Sequence, residues 1–432
     1  MLSAFTQAFR TPDLRAKLLF TLGIMALFRL GSILPAPGVN LANVKTCIGQ
    51  TQDQGLLSLV NVFSGGALLQ LSVFALGIMP YITASIIIQL LRVVIPRFEE
   101  LHKEGQAGTA KLTEYTRYLT IGLGLLQSST IVATAKSGQL FQGCARAQHI
   151  IAGDSIVTPL LIIITMTAGT GLIMWLGELI TERGIGNGMS LLIFTSIVAR
   201  MPQNLLSIAR GNGGVSKFLV VIAVILVATV AVVFIEQATR RIPVQYAKRM
   251  VGRRQYGGST TYIPVKINTA GVIPVIFASS ILSMPQLIAQ FGNRASSWVQ
   301  WIERNLHQTA PFYLVGYGVL ILFFTFFYTA ITFNPEEIAD NMKKYGGFIP
   351  GIRAGEPTAS YLRYVINRVT VAGSFYLVVL ALLPTIAVIW LGLSQNLPFG
   401  GTTILIMVGV GLQTVKEINS QLQQRHYEGF LS

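Results

Sequence analysis

The residues of this chain that could do chemistry are few and scattered. The run RGIGNG, Arg183 to Gly188, is the stretch most like a glycine-rich phosphate loop. It joins two apolar segments rather than a strand and a helix, so we interpret it as a tight turn. A P-loop, with its Gly, four residues and then Gly-Lys-Ser or Gly-Lys-Thr, is absent from the sequence. We therefore expect no enzyme, and any nucleotide energy must come from a partner.

Metal and thiol chemistry are equally weakly indicated. The four His residues, at 102, 149, 307 and 426, fall in separate segments, which argues against a metal cluster. We expect no metal and no cofactor. Cys47 and Cys144 both lie in segments predicted to face an outer compartment, where they could pair if it is oxidising. Pairing needs Cα atoms within about 7 Å, and no feature of the sequence indicates that approach, so two unrelated residues is the favoured interpretation.

The elements that must position these residues are membrane spans. The 432 residues are 52% hydrophobic and 11% charged, more apolar surface than one soluble core could use. Apolar runs of about 20 residues, the length that crosses a hydrocarbon core of ~30 Å, occur ten times, the fifth and tenth being weak. They cover 18–34, 72–95, 116–135, 156–177, 189–209, 217–235, 267–290, 312–333, 369–392 and 402–415.

Basic residues orient these spans. Most of the 32 Lys and Arg fall in segments that are cytoplasmic if the N-terminus is inside, so both termini are predicted to be cytoplasmic. Arg200 is assigned to the outside. Two long cytoplasmic loops, 236–266 and 334–368, carry many charges. They either set topology alone or form a docking surface for an acidic protein, phosphate-rich RNA or anionic lipid.

Charge inside the spans is rare. Arg29 is the one charged residue placed well inside a span, and two interpretations are open: it faces a wet vestibule, or it pairs with a loop or a backbone carbonyl. Glu178 lies at a predicted helix end, where solvent or Arg183 can satisfy it, so it receives no transport role. The midplane Asp, Glu or His residues typical of proton-coupled transporters are missing from the spans.

One stretch occurs twice. GIMPYITASII, Gly77 to Ile87, returns as GVIPVIFASSI, Gly271 to Ile281. The first copy lies in span two and the second in span seven, which cross the membrane in opposite directions. The spans therefore divide into two inverted five-helix halves, 1–211 and 212–432, with a working site near the midplane between them. Pro80 and Pro274 are expected to bend the two helices.

The sequence resembles a known family at several blocks in order. These are NVFSGGAL, GIMPYITASIIIQLL, MWLGELITERGIGNG, AGVIPVIFASSI and FNPEEIADNMKKYGGFIPGIRAGEPT. They are similar to the bacterial SecY family, channel subunits of the Sec translocon, over nearly the whole chain. The resemblance implies an all-α membrane protein of ten transmembrane helices in the cell inner (plasma) membrane. It would pass unfolded secretory polypeptides across the membrane and release transmembrane segments laterally into the bilayer.

The resemblance also implies site residues. An apolar pore ring would comprise Ile78, Ile82, Met189, Ile193, Ile276 and Ile406. A plug, a short helix within 61–71 on the outer side of the ring, would include Asn61, Val62, Phe63, Ser64, Gly65, Gly66, Ala67 and Leu68. A lateral gate between spans two and seven would use Thr83, Gln89, Ser279 and Ser280. Contacts to the motor or the ribosome would come from Lys248, Arg249, Arg253, Arg254 and Arg353.

The partners implied are the SecE and SecG subunits, the SecA motor ATPase, the ribosome, signal peptides, nascent polypeptides and membrane lipids. Two other classes of protein stay open from the residues alone. A secondary transporter with inverted repeats would show saturable, ion-coupled uptake of a small solute. A scaffold or insertase without a continuous pore would show no conductance even when its plug is deleted.

Overall fold

The computed structural model describes most of the chain. The described residues are 9–50, 64–138, 140, 144, 149–151, 156–210, 214–246, 249–251, 254–256, 260–291, 296–307, 310–391 and 401–428. Three of the predicted plug residues, Asn61, Val62 and Phe63, lie outside these ranges, as do two predicted contact residues, Lys248 and Arg253.

Helices dominate the fold. In the first part of the chain they are α1 (Pro12–Ile33), α2 (Leu41–Gln50), α3 (Met79–Val94), α4 (Pro96–Lys103), α5 (Gln106–Lys136), α6 (Val157–Arg183) and α7 (Gly188–Arg210). In the second part they are α8 (Gly214–Gln237), α9 (Ile273–Phe291), α10 (Ser297–Asn305), α11 (Pro311–Thr332), α12 (Pro335–Lys344), α13 (Glu356–Leu391) and α14 (Gly401–Glu428). Each of the ten predicted spans overlaps one of these helices, although spans two and seven begin before their helices do.

Not every helix is long and apolar enough to cross a bilayer by itself. Among the described residues, six helical stretches meet that test, those of α1, α5, α6, α8, α11 and α13. The pair α3 and α4 makes a seventh if it counts as one span, bent by 101°. Pro96 opens α4, and because a residue before proline disfavours helical angles, the break falls at Ile95. The apolar part of α7 is only Gly188–Pro202 and that of α9 only Ile273–Leu282.

The repeated stretch begins a helix in both copies. Gly77 has φ 57° and Gly271 has φ 63°, a backbone conformation that glycine adopts without strain. Helix α3 then starts at Met79 and α9 at Ile273, so Pro80 and Pro274 are each the second helical residue. Backbone N–H groups in the first turn of a helix have no intrahelical acceptor, so a proline at this position loses no hydrogen bond. The expected bend at these prolines is therefore wrong, because they initiate the helices.

Helices pack in the same order in both parts of the chain. In the first part α3, α5, α6 and α7 contact in series, and α1 packs against α6 and α7. In the second part α9, α11, α13 and α14 contact in series, and α8 packs against α13 and α14. The two parts meet where α7 contacts α8 and α14.

The two long charged loops contain strands that were not predicted from the sequence. Strand β1 (Thr239–Tyr246) pairs antiparallel with β4 (Thr260–Lys266) and, along its other edge, with β5 (Gly347–Phe348). Short strands β2 (Arg249–Val251) and β3 (Arg254–Tyr256) pair with each other. The chain is thus a mostly helical membrane protein whose two long charged loops add small sheets.

Helix α13 connects two apolar cores. Near its start, Leu362 and Val365 are buried against Ile242 of β1 and Met342 of α12. Further along, Leu377 and Leu380 are buried in the core of the second part, together with residues of α8, α9 and α11. Packing therefore holds α13 both near its start and at Leu377 and Leu380, more than halfway along its 36 residues.

Candidate functional site

The six predicted ring residues belong to one apolar cluster. The buried members Ile78, Ile193, Ile276 and Ile406 are 2%, 6%, 8% and 2% exposed, and the half-buried Ile82 and Met189 pack against the same cluster. They are positioned by four helices, since Ile78 caps α3 and the others lie on α3, α7, α9 and α14. The structure therefore brings together side chains from both parts of the chain, separated by up to several hundred residues in sequence.

Helices α1 and α6 also contribute residues to this cluster. Phe28 of α1 and Ile173 and Leu176 of α6 are buried in it, and Phe28 stacks on Phe74 with ring centroids 5.9 Å apart. These residues were missed in the sequence because they look like ordinary helix-packing residues. An apolar constriction of this kind repels water and ions by dewetting, while flexible side chains can adapt to a passing chain.

The described part of the predicted plug segment, 64–71, is largely buried. Ser64, Ala67 and Leu68 are fully buried, and Gly65 and Gly66 have φ 62° and 87°. The short helix expected within 61–71 is not found among the described residues, because 64–71 forms consecutive turns. Repeated left-handed angles do not propagate a right-handed helix.

The plug segment packs into a second cluster, which we call the outer cap. Leu68 and Leu71 are buried in it with residues that follow α1 and with residues of α5 and α6. Its members are Ala36, Val44, Cys47, Leu68, Leu71, Ala75, Leu76, Ile131, Val132, Ala135, Leu140, Cys144, Ile150, Ile151, Ile162 and Met166.

A disulfide crosses the outer cap. Cys47 of α2 and Cys144 are bonded, with Cα atoms 5.4 Å apart, so the favoured interpretation of two unrelated cysteines is wrong. Nearby, Asn40 N–H donates to the Ile150 carbonyl at 2.8 Å, and Asn43 Nδ2 donates to the His149 carbonyl at 2.8 Å. Backbone contacts between segments far apart in sequence place the cysteines together. The spacing of the two cysteines in the sequence does not indicate these contacts.

Two arginines reach the plug segment. Arg29 Nη1 donates to the Gly65 carbonyl at 2.9 Å, and Arg200 Nε donates to the same oxygen at 2.8 Å. Of the two interpretations for Arg29, pairing with a backbone carbonyl is the one that the structure supports. Arg200 was assigned to an outer loop, but it lies within α7 and is only half-exposed. A sequence cannot reveal such a contact, because the acceptor is a backbone atom.

The predicted gate residues lie on α3 and α9. Thr83, Ser279 and Ser280 are buried, and Gln89 is half-buried. Thr83 Oγ1 donates to the Met79 carbonyl at 2.9 Å, and Ser279 Oγ donates to the Ile276 carbonyl at 2.8 Å. These two donated hydrogen bonds therefore stay within their own helices rather than crossing between them.

Glu178 has a partner that was not predicted. Arg117 of α5 donates through Nε and Nη2 to the two carboxylate oxygens of Glu178 on α6, at 2.9 and 2.8 Å. The expected partners were solvent or Arg183, so that interpretation is corrected. A two-point pair of this kind fixes the cytoplasmic ends of two neighbouring helices.

The two charged loops form one structure, which we call the docking unit: β1, β4, β5, α12 and the start of α13. Ile242 and Val244 of β1 alternate with exposed residues and pack with Ile349 and Leu362. Arg353 is exposed between Gly351 and Gly355, which both have positive φ. Arg249 and Arg254 lie on the β2–β3 ribbon. The loops predicted separately are therefore held together by a common core.

Known proteins resemble this chain in sequence and in fold. The SecY family model matches residues 72–415. The chain is 63% identical over 436 residues to "Protein translocase subunit SecY" of Streptomyces scabiei, and the match covers 100% of both chains.

Solved structures share the fold. One described as "The structure of a protein conducting channel" matches with a TM-score of 0.60 and 18% identity, covering 94% of this chain and 91% of that one. The idle yeast Ssh1 complex bound to the yeast 80S ribosome matches with a TM-score of 0.63 and 16% identity, covering 93% and 89%.

Proposed function

The chain belongs to the SecY family, and from that premise we propose that its six-residue apolar ring is the seal of the channel. The protein is a protein-conducting translocation channel, a multi-pass protein of the plasma membrane and not an enzyme. The observation that carries the proposal is the convergence of Ile78, Ile82, Met189, Ile193, Ile276 and Ile406 in one apolar cluster.

At rest the ring excludes water from the path. Exposing a buried Ile side chain to water costs about 1.5–3 kcal/mol, so the four buried isoleucines hold the ring closed in the absence of substrate. An incoming apolar segment replaces the contacts that the ring loses, which lets it open around a signal peptide. Met189, unbranched and adaptable, then helps to fit side chains of different sizes.

Residues 61–71 act as the plug on the outer side of this ring. The burial of Ser64, Ala67 and Leu68 supports that role, as does the contact of Gly65 with Arg200 of α7, the helix that carries Met189 and Ile193. The plug must leave its position before a chain can cross, and Gly65 and Gly66 provide backbone freedom for that movement.

Helices α3 and α9 form the walls of the lateral gate, with Thr83, Gln89, Ser279 and Ser280 as its polar residues. Two observations support this: Ile82 packs against the cluster that contains Ile276, and Ile86 packs against the cluster that contains Phe277 of α9. Parting of the walls releases transmembrane segments into lipid. Small side chains such as Ser279 allow close approach and easy separation.

The two halves 1–211 and 212–432 are the moving bodies. The matching order of helix contacts and the matching glycine and proline positions at the starts of α3 and α9 support this division. An inverted pair places the working site at the interface of the repeats, which is where the ring lies. The family makes a secondary transporter the weaker interpretation.

The docking unit receives the partners on the cytoplasmic side. Lys248, Arg249, Arg253, Arg254 and Arg353 contact the SecA motor and the ribosome, and the SecE and SecG subunits complete the translocon. A structural neighbour is a complex bound to a ribosome, which supports the ribosome as a partner. Phosphate contacts would make ribosome binding fall steeply with salt.

The ring assignment is tested in planar bilayers. Ile82→Ser and Ile276→Ser should each raise the resting ion conductance of the reconstituted translocon, because a hydroxyl wets the constriction. Ile88→Ser is the matched control, since Ile88 is also buried on α3 but packs with Leu101 and Leu112 in another cluster. Unchanged conductance in the ring variants would remove these residues from the seal.

Crosslinking provides a second test of the ring assignment. A photoreactive probe at position 82 or 276 should link to an arrested secretory chain, and a probe at position 88 should not. Equal linking at all three positions would contradict the ring assignment.

A further inference from the structure

Two arginines from different helices share one backbone acceptor. Arg29 is on α1 and Arg200 on α7, and both donate to the Gly65 carbonyl, at 2.9 and 2.8 Å. Arg29 is also supported locally, because its Nη1 lies 3.4 Å from Ser32 Oγ, and that hydroxyl donates back to the Arg29 carbonyl at 2.7 Å. Two separate helices therefore contact the plug segment at the same backbone oxygen.

The two arginines have no acidic partner within the described part of the chain. Arg117 and Arg363, by contrast, each pair with a glutamate. A guanidinium away from bulk water is costly unless its donors are satisfied. The Gly65 carbonyl is therefore a structurally important acceptor for both charges, and the two like charges repel each other when it is absent.

The backbone of the plug segment is shaped around these side chains. A Cβ atom on Gly66 would overlap the Arg200 guanidinium, and Gly66 also has φ 87°. A Cβ atom on Gly65 would lie 3.2 Å from Arg29 Nη1 and 3.2 Å from the backbone of Ser196. Only glycines leave room for both guanidinium groups against the chain.

We propose that Arg29 and Arg200 are positioning residues that latch the plug in its closed place through the Gly65 carbonyl. This arginine latch rests on the proposed role of residues 61–71 as the plug. It adds to that role the atoms that hold the plug, namely two hydrogen bonds, one from α1 and one from α7, to a single carbonyl oxygen.

The latch also sets the condition for release. When Gly65 moves away, both guanidinium groups lose their acceptor and face each other across the space it occupied. A polypeptide in transit offers a carbonyl at every residue, and these can replace the Gly65 carbonyl. Release is therefore favoured when substrate is present and disfavoured when the path is empty.

The experiment measures resting ion flux through the complete translocon in liposomes. Arg200→Gln and Arg29→Gln should each raise the flux by about tenfold, the factor that corresponds to losing one hydrogen bond to a charged donor. Gly66→Ala should do the same while leaving both arginines in the sequence. Arg200→Lys, which keeps the charge but not the planar donors, should give a smaller rise.

Matched controls separate the latch from general effects. Arg304→Gln removes an exposed arginine that precedes α11, and Gly122→Ala adds a methyl group to α5 where no atom lies within 4 Å. Neither should change the flux. A rise in either control comparable to that of Arg200→Gln would overturn the latch.

Deletion of residues 61–68 distinguishes failure of the latch from failure of the plug. Deletion should raise the flux, and Arg200→Gln should add no further rise in the deleted background, because the arginine acts through the plug. If deletion raises the flux but the arginine variants do not, the latch is wrong and the plug stands. If deletion leaves the flux unchanged, the plug itself is wrong. Additive effects would indicate a structural leak and overturn the latch.

Discussion

The outer cap and the docking unit close the two ends of the same helix bundle by different means. The outer cap is apolar and buried, and a disulfide joins segments 97 residues apart. The docking unit is a small sheet on two helices, with exposed charges around a compact core. The difference indicates that the outer cap is built to hold one arrangement, whereas the docking unit exposes charge, as the proposed partner surface requires.

The largest expected effect is on the outer cap. Replacing Cys47 and Cys144 by Ser should lower the free energy of unfolding by about 4–5 kcal/mol, the value for closing a loop of this length. Thermal unfolding of the purified translocon measures the change, and treatment of the unmodified chain with reductant is the control. Binding of the motor at the docking unit should stay the same. An unchanged melting temperature would break the contrast between the two ends.

The next effect is on the docking unit. Ile242→Ala should destabilise that unit by about 3 kcal/mol, because it leaves a cavity where β1 packs on α12 and α13. Both charged loops should become protease-sensitive together, with the outer cap intact. The exposed neighbour Arg241, changed to Ala, is the control. Loss of only one loop would mean that the two loops do not form a single unit.

A smaller effect is expected from the charge of Arg353, in the segment between β5 and α13. Arg353→Glu should reduce motor-driven export by about tenfold, or ~1.4 kcal/mol, while insertion of membrane proteins continues. The measurement is import of a secretory precursor into inverted vesicles. Lys343→Glu, an equal change in charge elsewhere on the unit, is the control. Normal export by the Arg353 variant would remove this residue from the docking surface.

The smallest effect concerns exposed ion pairs. Glu336→Gln breaks a pair whose side chains are 51% and 63% exposed, so it should cost less than about 1 kcal/mol. Glu178→Gln should cost more, because Glu178 is only 19% exposed and accepts two hydrogen bonds from Arg117. Melting temperatures at low and high salt compare the two. Equal losses would show that burial does not decide the strength of these pairs.

The sequence predicted the spans for a clear physical reason, whereas the ring was predicted from the family resemblance. Apolar runs must match the thickness of the bilayer, so the ten spans could be located from composition. The repeat placed Ile82 and Ile276 at matching depths, and both lie in the same cluster. The strands could also have been predicted, since TRRIPVQY and TTYIPVK are rich in β-branched residues. These segments were interpreted by their charge instead.

Other features could not be predicted, because they depend on contacts between distant parts of the chain. The Cys47–Cys144 bond follows from loops that meet only after folding. Arg29 and Arg200 meet at a backbone oxygen, which every residue possesses. Pro80 and Pro274 were misinterpreted because the start of a helix inside an apolar run leaves no compositional mark.

Helix α13 has a mechanical consequence for the whole molecule. With 36 residues it is about 54 Å long at 1.5 Å per residue, and it runs unbroken from beside Arg353 into the core that contains Phe277 of α9. A push or tilt applied to the docking unit by a bound partner is therefore transmitted along a stiff rod. That core also contains residues of α9, one wall of the proposed gate, so a small angular movement outside the membrane becomes a sideways displacement within it.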